Sequence, residues 1–379
     1  MRIERRLRQP RWLLFAVPVG SVLAALVLAG IVLLATGHNP GSAYRKLFDA
    51  AFLSSGSIGQ TLISATPLAF TGLAAAAAFR MRLFNIGGEG QLYLGSIAGA
   101  AAGLYIGGLG WSQPLVIAAM VIAGAAGGAA WASIPGVLRA FFKTNEIITS
   151  LMLNYVAGYL LTYLVFNAHS YWRQNSGFDA SVFPTSKTVP PNAFWPGWQW
   201  AMQGGILVPL GAFLAIATAV VLWLLYTRTR FGFEAQVLGD SPRAALYAGM
   251  RTRRKILAVM AISGAIAGIG GASQVGDFAH QLDADPNGLQ KQFYGYTGIV
   301  VAALGRYNPF AVVLCAFLIG GLQNAGNTLQ GADFPSGLVG VMQGIILFCV
   351  LGGEVLVRNR IRFGRAAAPE APIPLETAA

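Results

Sequence analysis

Charged residues are scarce in this sequence. Asp, Glu, Lys and Arg together make up 11% of its 379 residues, whereas about 25% is typical of soluble globular domains. Hydrophobic residues account for 55%, and 48 glycines are present. Apolar helices that are rich in glycine pack closely in lipid. The composition therefore excludes an ordinary soluble domain and predicts a membrane protein.

Residues that carry catalysis or bind metals are also few. The only cysteines, Cys315 and Cys349, lie in apolar runs, which indicates buried side chains and neither a disulfide nor a metal site. The three histidines, His38, His169 and His280, fall in predicted outside loops and form no H-E-x-x-H motif. No G-x-x-x-x-G-K-[ST] motif occurs, so the chain lacks a phosphate-binding loop. We therefore predict that the protein is not an enzyme and holds no metal or cofactor of its own.

Acidic residues are outnumbered, at 14 against 26 Lys and Arg, which gives a net charge of +12. These basic residues form no continuous stripe, so we expect no nucleic-acid partner. Their positions instead follow membrane sidedness. An N-terminus on the inside places 21 of them in the cytoplasm and 5 outside, which favours this orientation over its inverse.

Apolar runs predict ten membrane segments. The first, residues 12–36, is too long for the apolar part of a signal peptide and follows five arginines. An even number of crossings returns the C-terminus to the inside. The nine later segments are residues 57–79, 90–109, 114–138, 147–168, 205–226, 256–276, 294–305, 309–329 and 335–357.

Two of these segments predict interrupted helices. Residues 294–305 would span about 18 Å as a helix, against a hydrocarbon core of roughly 30 Å. The third segment opens on Asn85-Ile86-Gly87-Gly88-Glu89-Gly90-Gln91, where three glycines surround a carboxyl group. Broken helices of this kind mark transport paths. The predicted fold class is thus all-α: a polytopic membrane helical bundle of about ten segments, with cytoplasmic N- and C-termini and discontinuous helices.

The chain divides into three regions along the sequence. Residues 1–12 form a basic cytoplasmic N-terminus, residues 13–357 the transmembrane domain, and residues 358–379 a basic and then disordered cytoplasmic tail. An outside loop, residues 169–204, contains four tryptophans and four prolines. It is either an interfacial cap or a docking platform for an extracytoplasmic partner. Residues 227–255 form the longest cytoplasmic loop.

Polar residues inside the predicted segments are the candidates for a substrate pathway. For the amides, hydrogen bonding between neighbouring helices is the simpler alternative. For Glu89, the alternative is capping of the exposed amides at the glycine break. A path of amides with one acid suits a neutral, hydroxyl-rich solute. The candidates are Asn85, Glu89, Gln91, Asn154, Gln274, Gln323, Asn324, Asn327 and Gln343.

A short helix is predicted within the cytoplasmic loop. Asp240 or Ser241 can cap it, Pro242 fits its first turn and Gly249 ends it. Such a helix can insert into a cleft on a partner, although a connector on the membrane surface is the alternative. The candidate coupling residues are Gly239, Asp240, Ser241, Pro242, Ala244, Ala245, Ala248 and Gly249.

Several motifs, taken together, resemble those of a known family. They are Pro67-Leu68, Gly72-Leu73-Ala74, Phe79-Arg80, Leu83 to Gln91, Asn145 to Ile148, Leu151 to Tyr155, Gly239 to Gly249, Ser263 to Gly268, Gly295 to Ile299, Ala302 to Gly305 and Asn308-Pro309. Over residues 39–354 the chain is similar to the permeases of nucleoside and simple-sugar importers of the ATP-binding-cassette superfamily, relatives of the ribose and branched-chain amino-acid permeases. Gly88 departs from the alanine that is frequent there.

The resemblance implies an assembly in the bacterial inner membrane. Two ATP-binding subunits would hold ATP and Mg, and a solute-binding protein would dock outside. The loop helix would be the coupling helix to the ATP-binding subunits. The long outside segment and the N-terminal extension resemble the larger of paired permeases, so a heterodimer with a second permease is expected, in contact with membrane lipid.

Two other classes of protein fit the sequence less well. A secondary transporter or channel for a small neutral solute would need a coupling-ion site, and no paired acids stand in the predicted segments. A membrane-embedded enzyme lacks a catalytic constellation. The sequence leaves the solute open among purines, pyrimidines and pentoses.

Overall fold

The computed structural model describes residues 2–5, 11–175, 184–200, 206–290, 292–329 and 359–362, and isolated residues between 337 and 353. Helices dominate the described chain, which confirms a helical membrane protein. They are α1 (Arg11–Ala35), α2 (Pro40–Phe48), α3 (Ser57–Phe79), α4 (Gly88–Gly108), α5 (Gln113–Phe142), α6 (Glu146–Phe166), α7 (Leu210–Arg228), α8 (Arg230–Asp240), α9 (Pro242–Tyr247), α10 (Thr252–Ser273), α11 (Tyr294–Leu304) and α12 (Pro309–Thr328).

Six helical stretches among the described residues are long and apolar enough to cross a membrane. They are Ser57–Phe79, Gln113–Phe142, Glu146–Phe166, Leu210–Arg228, Thr252–Ala279 and Pro309–Thr328. Val19–Ala35 and Tyr294–Leu304 are shorter apolar helices. The predicted segment at residues 335–357 lies mostly outside the described residues.

Non-α elements interrupt or extend the helices. Two π-helices follow α2 and α10, at Asp49–Leu53 and Gln274–Ala279. A 3-10 turn, Pro191–Ala193, lies in the outside loop. Strands pair antiparallel in two places: β1 (Arg2–Arg5) with β4 (Asn359–Arg362), and β2 (Gly197–Trp200) with β3 (Ile206–Pro209).

The sequence placed the start of α7 too early. Residues 205–226 were expected to form one segment, but Ile206–Pro209 pairs as a strand and the helix begins at Leu210. Pro209 explains the boundary, because it has no amide hydrogen to give to a helix and suits the position before one.

Close glycine contacts join α4, α5 and α10. A methyl group added at Gly268 would clash with the carbonyl oxygen of Gly124, and one added at Gly128 would clash with that of Gly264. The backbones therefore touch where these helices cross. In lipid, packing of this kind replaces the burial of apolar surface as the force that holds helices together.

Gly268→Ala should destabilise the protein. The added methyl group must push α10 away from α5, and overpacking of this kind costs about 1–3 kcal/mol. We expect a lower thermal unfolding midpoint for the purified protein in detergent. Gly108→Ala is the matched control, because no atom lies within 4 Å of the added carbon there. Equal midpoints for the two variants would contradict the packing described above.

Candidate functional site

The chain re-enters the membrane between α3 and α4, as the glycines predicted. After a turn at residues 80–82 it runs extended to Gly87, and α4 begins at Gly88. Asn85 and Gln91 exchange two amide hydrogen bonds, both of 2.9 Å. Asn85 also donates to Ser263 Oγ at 2.8 Å, and Ser263 donates to the carbonyl of Ala74 at 2.7 Å. The break is thereby tied to α10 and α3.

Asn154 of α6 holds the other side of the break. Its Oδ1 accepts a 2.9 Å bond from the amide of Gly90, in the first turn of α4. Its Nδ2 donates to the carbonyl of Ile86 at 2.9 Å and to the hydroxyl of Tyr296 at 3.1 Å. The Asn154 side chain therefore forms hydrogen bonds with α4, with the segment before it and with α11.

Glu89 caps a helix other than its own. Its side chain is fully buried, and its two oxygens accept 2.5 Å bonds from the hydroxyl of Tyr93 and from the amide of Gly295. Gly295 is the second residue of α11. The alternative of Glu89 as the cap of the glycine break is therefore wrong: the carboxyl group caps α11, where a helix N-terminus favours an acid.

Two interrupted helices thus begin side by side within the bundle. Helix α11, with 11 residues, is about 16 Å long and cannot cross the bilayer alone, as its sequence predicted. The four candidates Asn85, Glu89, Gln91 and Asn154 are each at most 2% exposed and are hydrogen-bonded to protein atoms. In this conformation they form one sealed polar network, which we call the break network.

The candidates on α12 lie apart from the break network. Asn324 donates to Thr61 Oγ1 at 3.1 Å and so links α12 to α3. Gln323 donates to the carbonyl of Gln292 at 3.4 Å, and Asn327 is exposed. Gln343 lies outside the described residues.

A cavity of about 360 Å³, the outer cavity, opens where the predicted outside loops begin. Of the eight candidates that the structure describes, only Gln274 lines it, and Gln323 donates to the backbone carbonyl of the lining residue Gln292. Sequence reasoning missed its other polar residues, although Asp277 and Asp283 stand close after Gln274 in the chain. The full lining is Ile63, Thr66, Pro67, Ser273, Gln274, Asp277, Phe278, Ala279, Gln281, Asp283, Gln292 and Tyr294.

The π-helix after α10 positions the acidic side of the outer cavity. Asp277 accepts hydrogen bonds of 3.1 and 3.3 Å from the amide of Gly211, and so caps the start of α7. Asp283 follows in the loop, and burial together with the nearby Asp285 raises the pKa of its carboxyl group above the ordinary value.

Residues 186–195 of the predicted outside loop are hydrogen-bonded to this π-helix and to the residues just after it. Val189 and Trp195 donate backbone bonds of 2.8 and 2.9 Å to the carbonyls of His280 and Gly276. Ser186 Oγ accepts a 2.7 Å bond from the amide of Leu282. Burial lowers the pKa of the His280 imidazole. The loop and the wall of the outer cavity therefore form one packed unit.

The loop predicted to be cytoplasmic forms two helices, α8 and α9, of which only α9 was predicted. Ser241 Oγ caps α9 by accepting from the amide of Ala244 at 3.4 Å, Pro242 is its first residue, and it ends before Gly249, which has a positive φ of 71°. Ala248 is the C-cap.

Contacts hold this loop against α3. Asp240 pairs with Arg82 at 2.9 Å, and Gly239 lies against the backbone of Met81. Ala245 is buried, whereas Leu246 and Tyr247 are 61% and 94% exposed. The tip of α9 therefore exposes Leu246 and Tyr247, while its base packs on the bundle.

Among the described residues, no three His, Cys, Asp or Glu side chains come together at a spacing that could hold a metal ion. Three features are those of a multi-pass membrane transport protein: apolar helices of membrane-crossing length, two helix starts inside the bundle and a polar outer cavity.

Comparison with known proteins identifies the family. Residues 57–351 match the family described as the permease component of the branched-chain amino acid transport system, and the chain belongs to it. It is 32% identical to the glucose ABC transporter permease protein TsgB13 of Haloferax volcanii over 370 residues, 95% of this chain and 93% of the relative. Identity is also 32% to the nucleoside permease NupB of Lactococcus lactis, over 88% of this chain and 90% of the relative. The protein is thus a permease subunit of an ATP-binding-cassette importer.

Proposed function

We propose that this chain carries nucleosides or simple sugars into the cell by alternating access. Relatives of similar identity are named for glucose, for nucleosides and, in the Bacillus subtilis protein NupP, for guanosine. These solutes are neutral and rich in hydroxyl groups, which agrees with a polar path built mainly from amides.

The adjacency of the outer cavity to the break network is the observation that carries this proposal. Tyr294 lines the cavity, and the next residue, Gly295, is bound by Glu89. We propose that the break network is the closed inner part of the path and that it separates in the inward-facing state. The proposed path residues are Asn85, Glu89, Gln91, Asn154, Gln274, Gln323, Asn324, Asn327 and Gln343.

In this proposal, other subunits supply the energy for transport. Helix α9 docks on a partner ATP-binding subunit, which binds ATP and Mg, and the grip of residues 186–195 on the π-helix supports docking of a solute-binding protein on loop 169–204. A second permease completes the membrane core as a heterodimer.

The proposed topology has ten crossings, with both termini in the cytoplasm of a bacterial inner membrane. The pairing of Arg2–Arg5 with Asn359–Arg362 supports this topology, because paired ends lie on one side of the membrane. The proposed regions are residues 1–12 and 358–379 in the cytoplasm and residues 13–357 as the transport domain.

Uptake of labelled nucleosides and sugars tests the proposal. The chain is produced together with the ATP-binding subunits, second permease and solute-binding protein encoded beside it. We expect accumulation that stops when ATP is depleted or when the ATP-binding subunit loses its catalytic residues. Uptake that persists without ATP would favour a secondary transporter or a channel, and absence of uptake for both solute classes would refute the proposed solutes.

A further inference from the structure

The outer cavity has the size and the lining of a ligand site. Its volume of about 360 Å³ lies in the range of roughly 300–1,000 Å³ that small-molecule pockets occupy. Phe278 and Tyr294 supply apolar ring faces, and Gln274, Asp277 and Asp283 supply polar groups. An apolar wall with a few convergent polar groups is the usual design of such a site.

Two amide oxygens beside this cavity lack partners. Gln274 Oε1 is buried and accepts no hydrogen bond from the protein. Gln290 Oε1 is also buried and accepts no hydrogen bond from the protein, and Gln290 lines an adjoining cavity of about 340 Å³. Both cavities share Asp283 and Gln292. A buried, unpaired polar atom costs roughly 1–3 kcal/mol, which a hydroxyl group that donates to it would offset.

The described charges of the lining are negative. Asp277 and Asp283 contribute carboxyl groups, and no described lining residue is Lys, Arg or His; Lys291, between Gln290 and Gln292, lies outside the described residues. Carboxyl oxygens accept hydrogen bonds. The cavity therefore offers acceptors for hydroxyl groups and no described cation that would stabilise a phosphate.

We propose that the outer cavity is a solute subsite of the permease itself, in which Gln274 and Asp283 accept hydrogen bonds from neighbouring hydroxyl groups of an uncharged sugar ring. This inference rests on the proposed import of nucleosides or sugars. With this subsite, the membrane subunit itself would select among solutes. Phosphorylated sugars would be rejected. A ring without hydroxyl groups would bind weakly, because it leaves the amide and carboxyl oxygens without hydrogen-bond donors.

Uptake into vesicles that contain the complete transporter tests the subsite. We compare a labelled nucleoside with its dideoxy analogue in wild type, Gln274→Leu and Asp283→Asn. Gln274→Leu removes a neutral acceptor and Asp283→Asn removes the charge that strengthens its hydrogen bond, and each change should lower nucleoside uptake about tenfold. The ratio of nucleoside to dideoxynucleoside uptake should fall by a similar factor. A nucleoside monophosphate in excess should not compete in wild type.

Matched controls separate the subsite from general damage. Gln60→Leu, at an exposed position, and Asp49→Asn, at a half-exposed one, make the same chemical changes outside the lining of the outer cavity and should keep wild-type uptake. The uptake ratio is measured within one vesicle preparation, so it does not depend on the amount of folded protein, and the unchanged solute-binding protein contributes equally to each variant. If wild type imports the nucleoside but both cavity variants keep the wild-type ratio, the subsite is overturned. If wild type imports neither nucleosides nor sugars, the proposed function itself fails.

Discussion

Tyr247→Asp should lower solute uptake about a hundredfold while the protein still inserts and folds. Tyr247 is 94% exposed at the tip of α9, and Leu246 beside it is 61% exposed, so the substitution disturbs nothing inside the bundle. If this tip fills a pocket on the ATP-binding subunit, a charge placed there removes a central aromatic contact, a change that typically costs at least about 2 kcal/mol. Copurification of the ATP-binding subunit and ATP-driven uptake in vesicles are the measurements.

The control for Tyr247 lies on another helix. Tyr105→Asp alters a tyrosine of α4 that is 73% exposed, and it should leave copurification unchanged. Ala244→Trp provides a second test on α9, because Ala244 is exposed. Ala245 is unsuitable, since its side chain is buried and a larger group would disrupt the base of the helix. Wild-type uptake by both Tyr247→Asp and Ala244→Trp would rule out docking through α9.

Glu89→Ala should reduce uptake by more than tenfold and also lower the thermal unfolding midpoint. It removes the acceptor for Tyr93 and Gly295 at once, and each buried donor left without a partner costs about 1–3 kcal/mol. Freed from its cap, α11 loses its fixed position relative to α4. Uptake per molecule of folded protein and the unfolding midpoint in detergent are measured on the same preparation.

A double-mutant cycle with Tyr93 isolates this contact. Tyr93→Phe deletes one of the two bonds to Glu89 and also the 2.8 Å bond to the amide of Gln290, so it should cost less than Glu89→Ala. The effects of the two substitutions should not add, because the side chains touch. Tyr163→Phe, at an exposed tyrosine, serves as the control. Additive effects would show that Glu89 acts independently of Tyr93.

The local irregularities of the fold could be predicted where glycine or proline residues occur in the sequence. The break at Gly87-Gly88, the short α11 and the start of α9 at Pro242 all follow from such residues. Helix α8 and the π-helix after α10 carry no comparable signal, because both depend on packing against other elements. Helix α2 does carry such a signal, with Asn39 as its cap and Pro40 at its first position, but it was not predicted.

The candidate site was predicted less completely than the fold. The polar residues near the break were found, but the partner of Glu89 was not, since Gly295 lies 206 positions further along the chain. Asp277 was missed because the continuous apolar run before it indicates an ordinary span. Only the wider turn of the π-helix brings its carboxyl group to the start of α7 and the wall of the outer cavity.

The backbone contacts among α4, α5 and α10 limit which parts of the protein can move. Helices whose backbones touch at glycine have little room to shift past one another, which favours movement of these three as a unit. Helix α10 starts four residues after the C-cap of α9 and continues into the π-helix that carries Gln274. A displacement of α9 would therefore be passed along α10 to the wall of the outer cavity, because Gln274 in that wall continues the same helix.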